Sequence, residues 1–266
     1  MATAVYFEVH RTSPRIGAEI TGVDLNQDVD QVTAEQLRAA FREHKVLVFR
    51  DQHLTPQRHV EAVRILAEPF DHPTALRHPD NPLVYPYRVE QTGKASHWHV
   101  GGTWRTPPFR VESLTYQEVA EVGGDTLWAD LQGAYDDLSE PLKVLAGSLG
   151  ALYDSDPAHY AQGSEKGAVT QTVEHAVVRI DPDTGRKGLF LSHGALRLTG
   201  VTTAESEALL PLLLRHASSP NYTVRYNWQP GDFVLWDNQA TWHYAVDDYA
   251  DGPRAYRKVI GVDPQH

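Results

Sequence analysis

Two of the fourteen histidines in this sequence stand apart because of their neighbours. His99 lies in HWHVGGTW (97–104), between two tryptophans and close to a Gly-Gly pair that lets the backbone approach a ligand closely. His243 lies in WDNQATWHY (236–244), just beyond a predicted strand and a tight polar turn. Neutral imidazole is a common ligand of divalent transition metals. We therefore take these two histidines as candidate metal ligands. The histidines taken as ordinary surface or core-edge side chains are His10, His53, His59, His78, His159 and His216.

The position two residues after His99 carries no ligand. An iron site built from two histidines and one carboxylate would have an acidic residue there, but the residue is Gly101. The stretch is therefore an iron site that has lost a ligand, an iron site that uses the gap, or a glycine-rich turn that holds a histidine.

The composition limits the classes of function. The 266 residues are 41% hydrophobic and 22% charged, as in ordinary soluble globular proteins. The net charge of −11 argues against nucleic acid or an anionic membrane as a partner. The absence of cysteine excludes disulfides, thiolate zinc sites and cysteine nucleophiles. There is no apolar segment typical of a signal peptide or a membrane span. We expect a cytoplasmic protein, a single domain over residues 1–266, and a small-molecule substrate; homo-oligomerisation stays open.

Hydrophobic periodicity predicts an α+β fold with a sandwich or jelly-roll core. A capping-box pattern at Thr33 predicts a helix start, and Thr55 followed by Pro56 predicts another. A short buried strand is predicted between them at 46–49. From about residue 82, short β-type segments alternate with turns. These segments are 111–116, 126–128, 175–180, 222–228, 233–236 and 257–262, with one more helix beginning at Thr203.

Motifs along nearly the whole chain resemble the taurine/α-ketoglutarate dioxygenase family of non-haem iron oxygenases. They occur in the order expected for that family and include RIGAEITGVDL (15–25), HKVLVFRDQ (44–52), WH-x-x-x-TW (98–104), GGDTLW (123–128), HAVVR to DPDTG (175–185), and WDNQATWHY (236–244) to Arg254. The resemblance implies a double-stranded β-helix, which is a jelly roll, with Fe(II) as the metal and 2-oxoglutarate and O2 as co-substrates.

The resemblance also implies roles for single residues. His99 and His243 correspond to the iron-binding histidines, and Thr126 and Arg254 to the groups that hold the distal carboxylate of 2-oxoglutarate. The family usually spaces two arginines four apart, whereas Arg257 follows Arg254 by three. On a regular strand these two side chains point to opposite faces, so either a bulge restores the geometry or Arg257 points away. Which arginine binds 2-oxoglutarate stays open.

The family motif is His-x-Asp, and Gly101 departs from it. Iron halogenases of similar fold carry Gly or Ala at this position, where chloride or bromide replaces the carboxylate. Our first hypothesis is therefore oxidation of an unactivated C–H bond by halogenation, with a halide or water and no protein carboxylate beside Gly101. Hydroxylation or sulfonate and sulfate-ester oxidation is the second hypothesis, with water or a carboxylate from elsewhere completing the site. A silent carboxylate-binding jelly roll and a two-histidine zinc hydrolase are alternatives of other classes; the hydrolase lacks an obvious general base near His99.

The substrate site is predicted from fewer signals. His72, in FDHP (70–73), corresponds to a histidine that taurine enzymes direct at the sulfonate, and it could form an anion-binding pair with Arg257. The alternative is that His72 caps the turn before Pro73. Alanines stand where the taurine enzyme has polar groups for the substrate amine, so taurine is not expected. These alanines are Ala75 and Ala95. The aromatic residues that could line an apolar substrate pocket are Trp104, Phe70, Tyr85, Tyr153 and Trp242.

Overall fold

The computed structural model describes residues 7–88, 95–156, 171–249 and 254–264. Five α-helices lie in these ranges: α1 (Gln31–His44), α2 (Pro56–Arg64), α3 (Leu131–Asp136), α4 (Glu140–Gly147) and α5 (Thr203–Ala217). None of the helices in the described ranges is long and apolar enough to cross a membrane.

The helix starts follow from side-chain caps. Thr55 accepts a hydrogen bond from the Arg58 N–H at 3.2 Å, which confirms the predicted start of α2. The start of α1 was predicted too late, because Asp30, rather than Thr33, is the N-cap residue. The Asp30 carboxylate accepts from the Thr33 N–H at 2.9 Å. Asp30 lies three residues before Thr33, and its negative charge also interacts favourably with the N-terminal end of the helix dipole.

The larger sheet contains eight strands, in the order β1-β2-β3-β14-β6-β16-β4, with β5 pairing to β16. Their bounds are β1 (Glu8–Arg11), β2 (Ala18–Thr21), β3 (Val46–Phe49), β4 (Glu68–Pro69), β5 (Tyr85–Arg88), β6 (Val111–Glu118), β14 (Phe233–Asp237) and β16 (Ala255–Val262). The two N-terminal strands were not predicted. β1 is exposed along its whole length, so it carries little hydrophobic pattern.

The smaller sheets face the larger one. They have the orders β13-β7-β15 and β12-β8-β9, and β10 and β11 form a separate hairpin. Their bounds are β7 (Thr126–Asp130), β8 (Gly150–Asp154), β9 (Thr172–Ala176), β10 (Val178–Ile180), β11 (Lys187–Leu189), β12 (Arg197–Thr199), β13 (Thr223–Tyr226) and β15 (Thr241–Ala245). The rings of Trp128 and Trp236, from opposed sheets, lie 5.5 Å apart. This arrangement confirms the predicted α+β jelly-roll core.

Alternation along β6 and β16 gives the larger sheet two different faces. On the inner face, Leu114, Tyr116 and Tyr256 join the aromatic cluster around Trp128. On the outer face, Val259 packs against helix α2. The orientation of every functional side chain on these two strands follows from this division.

Candidate active site

The two candidate metal ligands lie directly opposite each other on neighbouring backbone segments. The His99 N–H donates to the His243 carbonyl at 3.0 Å, and the His243 N–H donates back at 3.1 Å. This bridge extends β15 and places the two rings with their centroids 3.9 Å apart. The structure therefore brings together two histidines that are 144 residues apart in sequence.

Both imidazoles are held in the neutral form that binds metals. Burial lowers the pKa of His99 to about 3 and the pKa of His243 well below its ordinary value. His99 Nδ1 lies 2.8 Å from the His97 carbonyl, a contact that places the proton on Nδ1 and directs Nε2 outward as a lone-pair donor.

The position beside Gly101 is filled by a carboxylate from another strand. A Cβ built on Gly101 would lie 1.9 Å from Glu112 Oε1 and 2.6 Å from Glu112 Cδ. The expectation of a vacant ligand position, open to a halide or water, is therefore corrected. Gly101 is also not at positive φ; that conformation belongs to Gly102, at 72°. A side chain at 101 would require the Glu112 carboxylate to move from the space that it occupies.

Glu112 lies on the inner face of β6 and is completely buried. Its Oε2 lies 3.4 Å from His243 Nε2, and its Oε1 lies 2.8 Å from Lys258 Nζ. Neither oxygen accepts a hydrogen bond of normal geometry. Desolvation lowers the pKa of Lys258, but the Glu112 charge outweighs it and holds that pKa above its ordinary value. The two side chains form a buried ion pair next to the histidines.

Asn238 holds the backbone at Gly101 in place. Its Oδ1 accepts from the Gly101 N–H at 2.8 Å, and its Nδ2 donates to the Gly101 carbonyl at 2.9 Å and to the Phe109 carbonyl at 3.0 Å. This side chain thereby replaces a neighbouring strand for both polar groups of Gly101. Asn238 could not be singled out from the sequence, because its role depends on backbone groups far away in the chain.

Arg254 contacts Tyr116, Thr126 contacts Trp228, and the rings of Tyr116 and Trp228 contact each other. Arg254 is buried and donates to the Tyr116 hydroxyl at 2.8 Å and to the Gly124 carbonyl. Thr126 Oγ1 accepts from Trp228 Nε1 at 2.9 Å, and the Trp228 ring lies 4.4 Å from the Tyr116 ring. Because the Thr126 hydroxyl is the acceptor in this contact, it can still donate its own proton to another hydrogen-bond acceptor. A guanidinium has five N–H donors, so Arg254 suits a bidentate carboxylate contact.

Arg257 lies on the other face of β16. Its Nη2 donates to the Leu54 carbonyl, and its charge contributes to the low pKa of His59 on helix α2, after burial. The register of β16 against β6 does shift, between Ala255 and Tyr256, but this bulge does not turn Arg257 inward. The predicted pairing of His72 with Arg257 is therefore wrong. Lys258 is the residue four after Arg254 and lies on the inner face.

His72 lies in an aromatic cluster and caps its turn, which is one of the two roles considered for it; binding of a substrate anion stays a prediction. Its ring is 5.6 Å from Trp104 and 6.1 Å from Tyr85. The Thr74 N–H donates to Nδ1 at 3.3 Å, which caps the turn and places the ring proton on Nε2. Burial, followed by the charge of Lys258, lowers the pKa of His72 to about 4.

The other aromatic candidates divide between this cluster and the core. Phe70 lies 6.4 Å from the His72 ring, so it belongs to the cluster. Tyr153 and Trp242 are completely buried in the core between the smaller sheets and helix α5. The prediction that they line a substrate pocket is corrected.

The family model for the Taurine catabolism dioxygenase TauD, TfdA family matches residues 8–261. The chain belongs to this family. The chain is 37% identical to the alpha-ketoglutarate-dependent sulfate ester dioxygenase of Pseudomonas putida, over 98% of this chain and 94% of the relative. It is 34% identical to an alkylsulfatase of Acinetobacter baylyi, over 95% and 84% of the two chains. The crystal structure of a taurine dioxygenase from Burkholderia xenovorans superposes with a TM-score of 0.86 at 33% identity, covering 98% and 92%.

The protein is therefore an enzyme of the Fe(II)/2-oxoglutarate oxygenase kind, and its family implies Fe(II), 2-oxoglutarate and O2. The donor set of this enzyme fits Fe(II), which accepts imidazole nitrogen and carboxylate oxygen. Within the described ranges, no three His, Cys, Asp or Glu side chains already stand at metal-site spacing. The His99 and His243 rings are nevertheless adjacent, and Glu112 Oε2 lies 3.4 Å from His243 Nε2.

Proposed function

We propose that this enzyme uses Fe(II), 2-oxoglutarate and O2 to oxidise a C–H bond of a small organic anion of the sulfate-ester or sulfonate class. The observation that carries the proposal is Lys258, a cation on the inner face of β16 beside the paired histidines. The similarity to the sulfate ester dioxygenase of Pseudomonas putida supports the same class.

The co-substrate is assigned to Arg254 and Thr126. The guanidinium of Arg254 would bind the distal carboxylate of 2-oxoglutarate, and the Thr126 hydroxyl would donate a further hydrogen bond. Tyr116 and Trp228 exclude water from this contact. Burial raises the pKa of Tyr116 to about 12, so its phenol stays protonated next to Arg254.

The substrate anion is assigned to Lys258 and His72. Lys258 supplies the charge, and His72 donates from Nε2 as a neutral imidazole. Phe70 and Trp104, from the aromatic cluster around His72, would contact the carbon chain. Binding the anion at one end fixes which carbon lies nearest the metal ligands, and errors of about 1 Å in such placement are costly.

The chemistry explains why a sulfate ester would be cleaved. Bound Fe(II), 2-oxoglutarate and O2 supply the oxidant that replaces a C–H hydrogen by hydroxyl, with succinate and CO2 as co-products. When that carbon also carries the ester oxygen, the hydroxylated product loses its hydroxyl proton. The C–O bond to sulfate then breaks, its electron pair leaves with the sulfate oxygen, and an aldehyde and hydrogen sulfate form. Taurine has no such ester oxygen, and we keep the expectation that it is not the substrate.

Hydroxylation replaces halogenation as the favoured reaction. A halide beside Gly101 would meet the Glu112 carboxylate, and two anions at that distance repel each other. A silent binding protein is also disfavoured, because the curated relatives described above are catalysts.

Turnover of a medium-chain alkyl sulfate tests the proposal. With Fe(II) and 2-oxoglutarate, sulfate and succinate should appear in a 1:1 ratio, only with O2, and equally in chloride and chloride-free buffer. The alkanesulfonate and alkanoate of equal chain length, and taurine, are the comparison substrates. Lys258→Met should raise the KM for the alkyl sulfate at least about tenfold, because it removes the charge that the anion binds. Chlorinated product, or succinate formation that no sulfate ester or sulfonate stimulates, would overturn the proposal.

A further inference from the structure

We infer that Glu112 is the carboxylate ligand of the metal in this enzyme, supplied by strand β6 in place of the residue at 101. The inference rests on the proposed function, because it takes the His99–His243 pair as the metal site. It assigns a metal-binding role to a residue that lies outside the His-x-Gly motif and 11 positions after Gly101.

The first argument is the space at Gly101. Any side chain there would begin at a Cβ 1.9 Å from Glu112 Oε1, well inside contact distance. Gly101 and Glu112 therefore depend on each other: the glycine admits the glutamate, and the glutamate brings its carboxyl group to the place that a residue at 101 would otherwise fill. The Asn238 hydrogen bonds fix the Gly101 backbone in the position that leaves this space open.

The second argument is the distance to the histidine. Glu112 Oε2 lies 3.4 Å from His243 Nε2. Two ligand atoms, each about 2.1 Å from one metal and at a right angle, are about 3 Å apart. The observed separation is close to that of two adjacent ligands. No change of backbone is required, because rotation about the side-chain bonds of Glu112 moves Oε2 by more than the difference.

The third argument is the charge of Glu112. A completely buried carboxylate that accepts no hydrogen bond of normal geometry is costly, and its ion pair with Lys258 is formed at Oε1, 2.8 Å from Nζ. Oε2 instead lies 3.4 Å from His243 Nε2, on the side of the histidine pair. A divalent cation next to Oε2 would supply the missing charge and leave the Lys258 contact in place.

Metal affinity tests the inference without any turnover. The free Mn(II) signal in electron paramagnetic resonance measures binding to the native enzyme and its variants under argon. Glu112→Gln should weaken Mn(II) binding at least about 100-fold, because it removes a charged ligand. Glu118→Gln, which removes a carboxylate from the same strand that contacts Arg88, should bind like the native enzyme.

Two further variants separate metal binding from a structural ion pair. Glu112→Gln leaves the Lys258 charge unpaired, which could itself disturb the site. The double variant Glu112→Gln/Lys258→Met is therefore compared with Lys258→Met, because both lack the Lys258 charge and they differ only at residue 112. The single Lys258 variant keeps the carboxylate and should bind Mn(II) at least as tightly as the native enzyme, and the double variant should bind it about 100-fold more weakly. Equal affinity in these two variants would overturn the inference.

Moving the carboxylate from residue 112 to residue 101 tests whether Mn(II) binding can be restored. Gly101→Asp alone should bind Mn(II) poorly, because its side chain collides with Glu112. Gly101→Asp/Glu112→Ala should recover to within about tenfold of the native affinity, since the space is then free and the backbone at 101 is not at positive φ. Full binding by Glu112→Gln would overturn the inference and leave the proposed function standing. Failure of the native enzyme to bind Mn(II) would instead overturn the proposed function.

Discussion

At the scale of single residues, the sequence identified the histidines and Gly101 but not the residue that fills the gap. The pattern His-x-Gly indicates a missing ligand, and a halide is one chemical answer to it. Glu112 gave no signal, because a glutamate in a predicted strand is ordinarily exposed. Only the pairing of β6 with β16 places Glu112 on the inner face next to Lys258. The same pairing places Arg254 and Lys258 on the inner face of the sheet and Arg257 on the outer face.

The two arginines give a matched test at this scale. Arg254→Ala should weaken 2-oxoglutarate binding by an amount on the order of 2–5 kcal/mol, because it removes the charged partner of a buried carboxylate. Anaerobic titration of the enzyme with Fe(II) and 2-oxoglutarate, followed by the visible charge-transfer band, measures the Kd.

Arg257→Ala is the control for that titration. Arg257 donates to the Leu54 carbonyl on the outer face, so its loss should lower the thermal stability and leave the 2-oxoglutarate Kd within about threefold of the native value. If Arg257→Ala weakens 2-oxoglutarate binding and Arg254→Ala does not, the assignment of the co-substrate site is wrong.

At the scale of elements, local signals predicted three of the five helices and half of the sixteen strands in the described ranges, and tertiary contacts decided the rest. The strand predicted over 175–180 is split at Val177, whose N–H leaves the strand to bond the Leu149 carbonyl at 3.0 Å. Pro211 does not interrupt helix α5, which runs from Thr203 to Ala217 and packs Leu213 into the core. A proline weakens a helix locally, but the packing of an apolar face outweighs that loss.

A buried histidine links helix α2 to strands β6 and β16. Ser113 donates its only hydroxyl proton to the Val259 carbonyl at 2.9 Å, so His59 Nε2, 2.8 Å from Ser113 Oγ, must be the donor of that contact. His59 Nδ1 is buried and accepts no hydrogen bond. Protonating it would bury a charge without a partner, and burial, followed by the charge of Arg257, lowers the pKa of His59 to about 3.

This link predicts a pH dependence of stability. The unfolded chain protonates His59 near its ordinary pKa of 6.5, but the folded protein does not until about pH 3. His59 therefore lowers the free energy of unfolding as the pH falls below about 6.5, by up to about 1.4 kcal/mol per pH unit. In urea titrations between pH 6 and pH 4, His59→Gln should reduce the slope of the free energy of unfolding against pH. The reduction should correspond to close to one proton. Parallel curves for the variant and the native protein would contradict this assignment.

At the scale of the whole molecule, the motif order along the chain predicted the jelly roll, the family and the chemistry of Fe(II) and 2-oxoglutarate. The motif order left the substrate class open, with sulfonate and sulfate-ester oxidation as the second hypothesis, and it did not indicate that Glu112 lies beside Gly101. Both depend on which strands of the larger sheet face the histidine pair, and therefore on contacts between residues as distant as Glu112 and Lys258. The hydroxylation hypothesis, with a carboxylate from elsewhere, is the one that agrees with these contacts.

The most direct test of this account is a crystal structure of the enzyme grown anaerobically with Mn(II), 2-oxoglutarate and chloride. We expect one anomalous peak bound by His99, His243 and Glu112, with the distal carboxylate of 2-oxoglutarate on Arg254. A metal held by the two histidines alone, with chloride beside Gly101 and Glu112 turned away from the metal, would contradict the account.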